Sequence, residues 1–411
     1  MIPSIHIPRR FVTRSWGGTE TVVLESVRQL NSLGHRAKVF TSTALSQEPG
    51  LTQTERVNDV TVHRFPYFYP YFGLSQEQRQ GLDHCGGNLF SWHLLGALAR
   101  ERQARIIHLH TGKRMGGIAR TAARWKRIPY VLSLHGGLLC RPSSESSRQR
   151  QKSDGALEWG KALGLAVGSR RVLQDAAAVL CLTRAEQSAL QQRYPRVRCR
   201  VLPNGVDLKR FSQGDGEGFR RQHELPTDRP LLSVIGRIDP QKGQLTAVQA
   251  MSDLPEAHLL LVGHQTDASY VTRIHQEVEA RGLQQQVTVL AGLSGQELVN
   301  AYHATDLLLI PSTHEPFGIV ALEGWASGTP VLASKVGGLS EIVKPETGVL
   351  LDRLTSGSLA SEVTKLLRQK DSLHRLAVQG RREVARYSWA AHANQLLEIY
   401  REVLSENLVR Q

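Results

Sequence analysis

The sequence predicts an α/β fold built from two doubly wound domains. Three observations lead there: short apolar runs alternate with stretches of helical period, the scheme occurs in both halves of the chain, and a turn-rich join lies near the middle. With 411 residues, 40% of them hydrophobic and 21% charged, the chain can bury two cores and is long for one ordinary domain.

In the first half the apolar runs are SIHIP (4–8), RAKVFTS (36–42), VTVHRFP (60–66), ARIIHLH (104–110), PYVLSLHG (129–136) and AAVLCLT (177–183), with helical spacing over 19–33, 92–102 and 116–126. Each run is apolar along most of its length, as a parallel strand covered by helices on both faces requires. In the second half PLLSVIG (230–236), AHLLLVG (257–263), VTVLAG (287–292), DLLLIPS (306–312), PVLAS (330–334) and TGVLL (347–351) alternate with helical spacing over 244–251, 269–281, 295–303, 319–326 and 358–370. The join falls in RCRVLPNGVDLKRF (198–211), where Pro203, Asn204 and Gly205 signal a turn. Ligands of such sheets sit beyond the carboxyl ends of the strands, so the expected site is a cleft where two such domains face each other. The tail YSWAAHANQLLEIYREVL (387–404) puts Trp389, Ala393, Leu396, Leu397, Tyr400, Val403 and Leu404 on one helical face. RPSSESSRQRQKSDG (141–155) has almost no apolar residues and reads either as a mobile loop or as a surface excursion.

The net charge of +14 is unevenly placed: residues 1–200 hold 30 Lys+Arg and 13 Asp+Glu, and residues 201–411 hold 21 and 24. The basic first half suits an anionic partner such as phosphate groups, an acidic membrane face or nucleic acid, with plain solubilising charge as the alternative. No zinc pattern, RNA-recognition aromatics or basic helical motif supports nucleic acid. Cys85, Cys140, Cys181 and Cys199 form no metal-spaced cluster, and Cys181 lies in an apolar run suited to a buried thiol. MIPSIHIPRRF lacks the apolar core of a secretion signal, and no run approaches the roughly 18 apolar residues of a membrane span. A cytoplasmic protein is expected, at most resting on the inner face of the membrane.

The chemistry concentrates in two segments. LLSVIGRIDPQKGQ (231–244) reads as strand, loop and helix start, with Arg237 and Lys242 in the loop and Gly236 and Gly243 allowing close backbone approach to a ligand. Two cations beside a strand end suit a diphosphate, Arg by forked hydrogen bonds and Lys as a point charge; solvated surface charge is the plainer alternative. HEPFGIVALEGWASGTP (314–330) follows DLLLIPS, and a helix starting around Phe317 and Gly318 would aim free N–H groups and its positive dipole end at the same place. Glu323 would then lie roughly 9 Å along the axis from Phe317, at 1.5 Å per residue. Carboxylates at Glu315 and Glu323, with amides and cations between, suit a ligand with hydroxyls at both ends and phosphate in the middle, which is the layout of a nucleotide-sugar. The alternative makes Glu315 a helix-end charge and Glu323 an exposed face residue, although Glu323 sits in an unusually apolar helix where an unpaired carboxylate is costly to bury.

GRIDPQKG, HEPFGIVALEGWASGTPV and KVGGLSEIV (335–343), with WGGTE (16–20) and PNGVD (203–207), closely resemble the signatures of the family 4 retaining glycosyltransferases of the GT-B fold, in order and over nearly the whole chain. The resemblance implies two Rossmann-like domains facing a central cleft: an acceptor-side domain over 1–200, completed by a helix over 390–411, and a donor-binding domain over 201–389. By that resemblance Arg237 and Lys242 clamp the donor diphosphate. Glu315, with the backbone of Phe317 and Gly318, contacts the donor sugar and phosphate, and Glu323 takes the ribose hydroxyls. Gly17 and Gly18 approach the diphosphate, Glu20 beside them is structural, and His135 faces the transferred sugar. His108 and His110 are read as packing or cleft-lining.

The implied activity is transfer of a hexose from a nucleotide-sugar to a cell-surface glycan, lipopolysaccharide or lipid-linked acceptor, with no cofactor and no metal. No Asp-x-Asp occurs in the chain, and the cations are expected to take a metal's place. Arg120, Arg124, Lys126 and Arg127, with Arg148, Arg150 and Lys152, are candidates to hold the first domain near anionic lipid. FPYFYPYFG (65–73) either adds an interfacial or acceptor-contacting surface or packs on its own domain, and its prolines argue against a strand. The alternatives are a nucleotide-sugar epimerase or other enzyme of the same architecture, and a non-catalytic glycan-binding protein.

Overall fold

The computed structural model describes residues 1–12, 17–46, 50–136 and 156–410. Two compact units account for the chain: Met1–Pro203 with Trp389–Gln411, and Asn204–Ser388.

The first unit is organised on an eight-stranded sheet in the order β10-β9-β7-β6-β1-β2-β4-β3. Its strands are β1 (Ser4–Ile7), β2 (Ala37–Ser42), β3 (Gln53–Val57), β4 (Val60–Phe65), β6 (Ile106–Leu109), β7 (Tyr130–Ser133), β9 (Ala178–Cys181) and β10 (Cys199–Val201). All pairs are parallel except β3 with β4. Every residue of β1, β6, β7 and β9 is buried, as strands sandwiched between helix layers must be. On one face the helices Gly18–Ser32 and Trp389–Arg410 share a core in which Val23, Val27 and Leu30 meet Leu396, Tyr400 and Val403.

Both neighbours of β1, namely β2 and β6, run parallel to it, and the chain winds outward from β1 in opposite directions. That reversal opens a crevice at the carboxyl ends of β1 and β6.

A second, two-stranded sheet joins β5 (Tyr71–Phe72) antiparallel to β8 (Leu157–Glu158). The prolines of 65–73 were expected to exclude a strand. Pro70 lies just before β5, so the pairing residues keep their N–H groups, and this expectation is corrected. The same stretch is tied to its own domain: Asp83 accepts hydrogen bonds from the hydroxyls of Tyr67 and Tyr69, and Arg9 donates to Tyr69 and to the carbonyls of Leu82, Asp83 and Gly87.

The second unit has six parallel strands in the order β13-β12-β11-β14-β15-β16. These are β11 (Leu231–Ile235), β12 (His258–Val262), β13 (Val287–Leu290), β14 (Leu307–Ile310), β15 (Val331–Ser334) and β16 (Gly348–Leu351). The winding reverses between β11 and β14. The helix Ser356–Arg368 is followed by Lys370–Glu383, which no sequence signal announced. Among the described residues no helix is long and apolar enough to cross a membrane.

Candidate active site

The loops leaving β11 and β14 meet at the reversal point of the second unit. Gly243 has φ +69, and a Cβ there would stand 1.9 Å from the Pro311 carbonyl oxygen, so the β11 loop packs backbone to backbone on the end of β14. The amide of Thr313 donates to the Gln241 carbonyl at 2.8 Å and joins the two loops. Gly243 was expected to make room for a ligand; its space is filled instead by its own fold. Gly236 is the roomier of the two, with the Lys242 stem as its nearest neighbour at 3.7 Å.

Across this junction the Lys242 ammonium reaches the Glu315 carboxylate at 2.5 Å, with their side chains 17% and 10% exposed. The pair spans the crevice that a doubly wound sheet offers to ligands. Arg237 lies in the same loop with its side chain exposed and no ion pair or hydrogen bond to it among the described residues. Its carbonyl is anchored by Gln244 Nε2 at 2.8 Å, so a rigid loop carries a free guanidinium.

The helix after β14 spans Ile319–Ser327, beginning where the helical spacing of 319–326 puts it, and Gly318, at φ +108, is its cap rather than part of its first turn. Glu323 is therefore four residues into the helix, about 6 Å along its axis rather than 9 Å. Gly318 also has no room for a side chain: a Cβ would lie 2.7 Å from Leu339. The turn is buttressed by Gly337 and Gly338, where the Gly338 amide donates to the Glu315 carbonyl at 2.9 Å. A Cβ on Gly337 would meet that carbonyl oxygen at 2.1 Å. The amides of Phe317, Gly318 and Ile319 have no acceptor among the described residues. Unpartnered N–H groups at a helix start form an anion-binding end.

Glu323 is held by the Tyr302 hydroxyl, which donates to Oε2 at 2.6 Å. Burial pushes the Glu323 carboxyl up, and the bond from Tyr302 pulls it partly back. Tyr302, fully buried on the preceding helix Gly295–Ala304, escaped the sequence reading because only tertiary packing brings it to a residue 21 positions away. The Ser312 hydroxyl, buried just beyond β14, has no partner among the described residues.

In the first unit Gly17 caps the helix Gly18–Ser32 with extended backbone, and its carbonyl accepts from Thr21. Glu20 is buried and bonded to Arg10 Nε at 3.1 Å, a structural pairing. His135 lies two residues beyond β7, where its Nε2 is 3.1 Å from His110 Nδ1. Behind it stand His6 and His108, paired across β1 and β6, and Tyr400 from the C-terminal helix.

Burial holds His6 at about 3 and His135 at about 4, and keeps His108 and His110 well below the usual imidazole range. All four rings are neutral at physiological pH. Nitrogens of His6, His108 and His110 lie within 4.8 Å of one another, the one group of three with metal-ligand spacing among the described residues. Each of their ring nitrogens already has a hydrogen-bond partner.

The basic residues divide. Arg120 is not a surface group: it is buried and bonded to Asp175, so it is removed from the candidate lipid contacts. Arg124 is 64% exposed beside the equally exposed Trp125. Arg148, Arg150 and Lys152 lie outside the described residues.

Comparison with known proteins agrees with this geometry. Residues 215–383 match the family model "Glycosyl transferases group 1", and residues 17–205 match "Glycosyl transferase 4-like domain". A D-inositol 3-phosphate glycosyltransferase of Nocardia farcinica is 30% identical over 409 residues, covering 95% of this chain and 86% of that protein. One from Stackebrandtia nassauensis is 29% identical, covering 96% and 88%. Among solved structures, sucrose-phosphate synthase from Thermosynechococcus elongatus superposes with a TM-score of 0.74 at 24% identity, covering 99% of this chain and all of that one. Anabaena HepE in complex with UDP-glucose gives 0.72 at 20%, covering 98% and 100%. The chain belongs to the group 1 glycosyltransferases, the family 4 type, and has their GT-B fold.

Proposed function

We propose that this glycosyltransferase is a retaining, metal-independent hexosyltransferase that uses a nucleotide-sugar donor and a cell-surface glycan, lipopolysaccharide or lipid-linked acceptor. The observation that carries the donor reading is the cradle at the β11/β14 reversal. There the Lys242 ammonium is ion-paired with Glu315, Arg237 lies exposed in the same loop, and the unpartnered amides of Phe317, Gly318 and Ile319 lead into the helix that carries Glu323. In this reading Arg237, Lys242 and the Phe317 and Gly318 amides hold the diphosphate and stabilise the charge that grows on it as the sugar departs. Glu315 takes sugar hydroxyls. Glu323, with one oxygen already bonded to Tyr302, offers the other to the ribose.

From the first unit, Gly17 and Gly18 contribute a phosphate contact and His135 a sugar contact. Displacement on one face of the anomeric carbon, with the leaving phosphate drawing the proton from the acceptor hydroxyl, requires no enzymatic nucleophile and retains configuration. UDP-glucose is the first donor to test, because HepE binds it. A phosphorylated polyol joins the acceptor panel because of the relatives named for D-inositol 3-phosphate, and the excess of basic residues in 1–200 suits such an anion. Membrane contact through Arg124, Lys126 and Arg127 is part of the same reading for a lipid-linked acceptor.

The test is a screen for slow hydrolysis of UDP-, GDP- and ADP-hexoses by the full chain. Arg237→Ala is expected to abolish turnover with the fold intact, and EDTA to leave it unchanged. No heat of binding from any of these donors would overturn the transferase reading; full loss with EDTA would overturn the metal-free part alone.

A further inference from the structure

Behind His135 runs a continuous chain of neutral groups. Ser133 Oγ lies 2.7 Å from His108 Nε2, and His108 Nδ1 lies 2.7 Å from the Tyr400 hydroxyl. Tyr400 is 3.3 Å from His6 Nε2, His6 Nδ1 is 3.1 Å from His110 Nε2, and His110 Nδ1 is 3.1 Å from His135 Nε2. His6 and Tyr400 are fully buried, and His108, His110 and Ser133 are nearly so. The His6–His110 and His110–His135 rings are tilted by only 20° and 22°, with centroids 5.3 Å apart and nitrogens 3.1 Å apart. They meet edge to edge, which is the geometry of N–H···N bonds. His392 stands outside the chain, bonded to Ser26 and to the Pro203 carbonyl.

A neutral imidazole has one N–H and one lone pair, so fixing the proton on one ring fixes the next. With the Tyr400 proton on one of its two histidine partners, two proton arrangements satisfy every link; the hydroxyl of Ser4, the other polar group that acts on Tyr400, makes no hydrogen bond among the described residues. In one, the Tyr400 hydroxyl donates to His108, which donates to Ser133, while His6 Nε2–H donates back to the Tyr400 oxygen. His110 Nε2–H then donates to His6, and His135 Nε2–H donates to His110, leaving His135 Nδ1 as a bare lone pair. In the other, Tyr400 donates to His6, every bond reverses, and His135 Nδ1 carries the proton. The short contact from Tyr400 to His108 and the longer one to His6 select the first, because O–H donors approach more closely than N–H donors.

We infer that Tyr400, through His6 and His110, is a positioning residue that sets His135 to present an unprotonated Nδ1, an acceptor for a sugar hydroxyl. Tyr400 belongs to the C-terminal helix, so the last element of the chain governs the hydrogen-bonding sense of a ring at the end of β7. The sugar-contact half of this inference rests on the function proposed above for His135; the proton arrangement does not.

The test uses the full chain labelled with 15N-histidine, with two-bond 1H–15N spectra reporting the tautomer of each ring and His135→Gln assigning the signal. Wild type is expected to show His135 protonated at Nε2. Tyr400→Phe leaves His6 Nε2–H without an acceptor, and a buried orphan N–H is the group least tolerated. His6, His110 and His135 should therefore reverse together. Ser133→Ala, at the opposite end, should reverse the same three rings by removing the acceptor of His108 Nε2–H, so the prediction stands on a second variant if the first fails to fold.

Both variants are expected to lower kcat for nucleotide-sugar hydrolysis roughly tenfold at unchanged KM, the size of one neutral hydrogen bond. A His135 tautomer unmoved in a folded Tyr400→Phe or Ser133→Ala protein, or a wild-type His135 protonated at Nδ1, would overturn the inference. Unchanged hydrolysis in His135→Ala would instead remove the sugar contact, and the spectra would still decide the relay.

Discussion

Replacing Lys242 by Met keeps a stem of similar reach and deletes the charge that neutralises Glu315. The Glu315 side chain is 10% exposed and that of Lys242 17%, so the carboxylate is left nearly buried and unpaired. Breaking a fully buried pair costs 3–5 kcal/mol. Residual solvent access reduces this to about 2 kcal/mol, or about 4–8 °C in melting temperature for a domain of 150–250 residues. The donor reading adds a second loss, because removing one fixed charge from a developing oxyanion lowers turnover roughly 10²–10³-fold.

The two losses separate in the double variant Lys242→Met/Glu315→Gln, which has no unpaired charge. Its melting temperature should return to within a few degrees of wild type while nucleotide-sugar hydrolysis stays depressed. Thermal melts and hydrolysis rates measured on the same preparations give both readings. Recovery of turnover along with stability would show the pair to be structural and would refute its place in the donor cradle.

Tyr302→Phe removes the hydroxyl that steadies the Glu323 carboxylate without opening a cavity, so burial should push that carboxyl higher still. If ionised Glu323 takes the ribose, the acidic rise of donor affinity with pH should move to higher pH in the variant; an unshifted profile measured by calorimetry would count against that role. The histidine cluster makes the first unit acid-sensitive. His6 is held at about 3 against 6.5 when unfolded, so below pH 6.5 the unfolded state takes up a proton that the folded state refuses, and stability falls as pH falls. For His6 alone the loss at pH 5 is about 2 kcal/mol, at 1.36 kcal/mol per unit, and His108 and His110 act in the same direction. Melting curves between pH 7.5 and 5 should show a steep decline, which a flat profile would contradict.

The strands that could be read in the sequence were the apolar and β-branched runs, because that character is a local signal; most are buried along their whole length, and others, such as β13 and β16, only in part. Every run named from Ser4 to Leu351 contains one. What escaped is polar or short. QTERV forms β3 at an exposed edge, where its side chains carry no burial pattern, and CRV forms β10 with three residues. Lys242 and Glu315 were legible as residues because each sits in a compact motif. Their direct ion pair was not, since it depends on Gly243 bringing one loop onto Pro311 of the other. Helical period places the start of Ile319–Ser327, but propensity does not reveal that Gly318 takes a left-handed cap under Leu339.

The histidines show the harder limit. His108 and His110 share a strand face by their spacing of two, and that much is readable. His6 joins them only because β1 lies beside β6, and Tyr400 only because the final helix crosses that sheet. Parallel strands are linked by crossovers, so any apolar run can neighbour any other, and strand order is set by packing rather than by local pattern. In each unit the residues with unusual chemistry gather where the winding reverses, His6 and His108 across β1 and β6, Lys242 and Glu315 across β11 and β14. A reversal is the one place where two adjacent carboxyl-terminal loops turn away from each other and leave polar groups uncovered. Sequence supplies the groups; the reversal decides which of them meet.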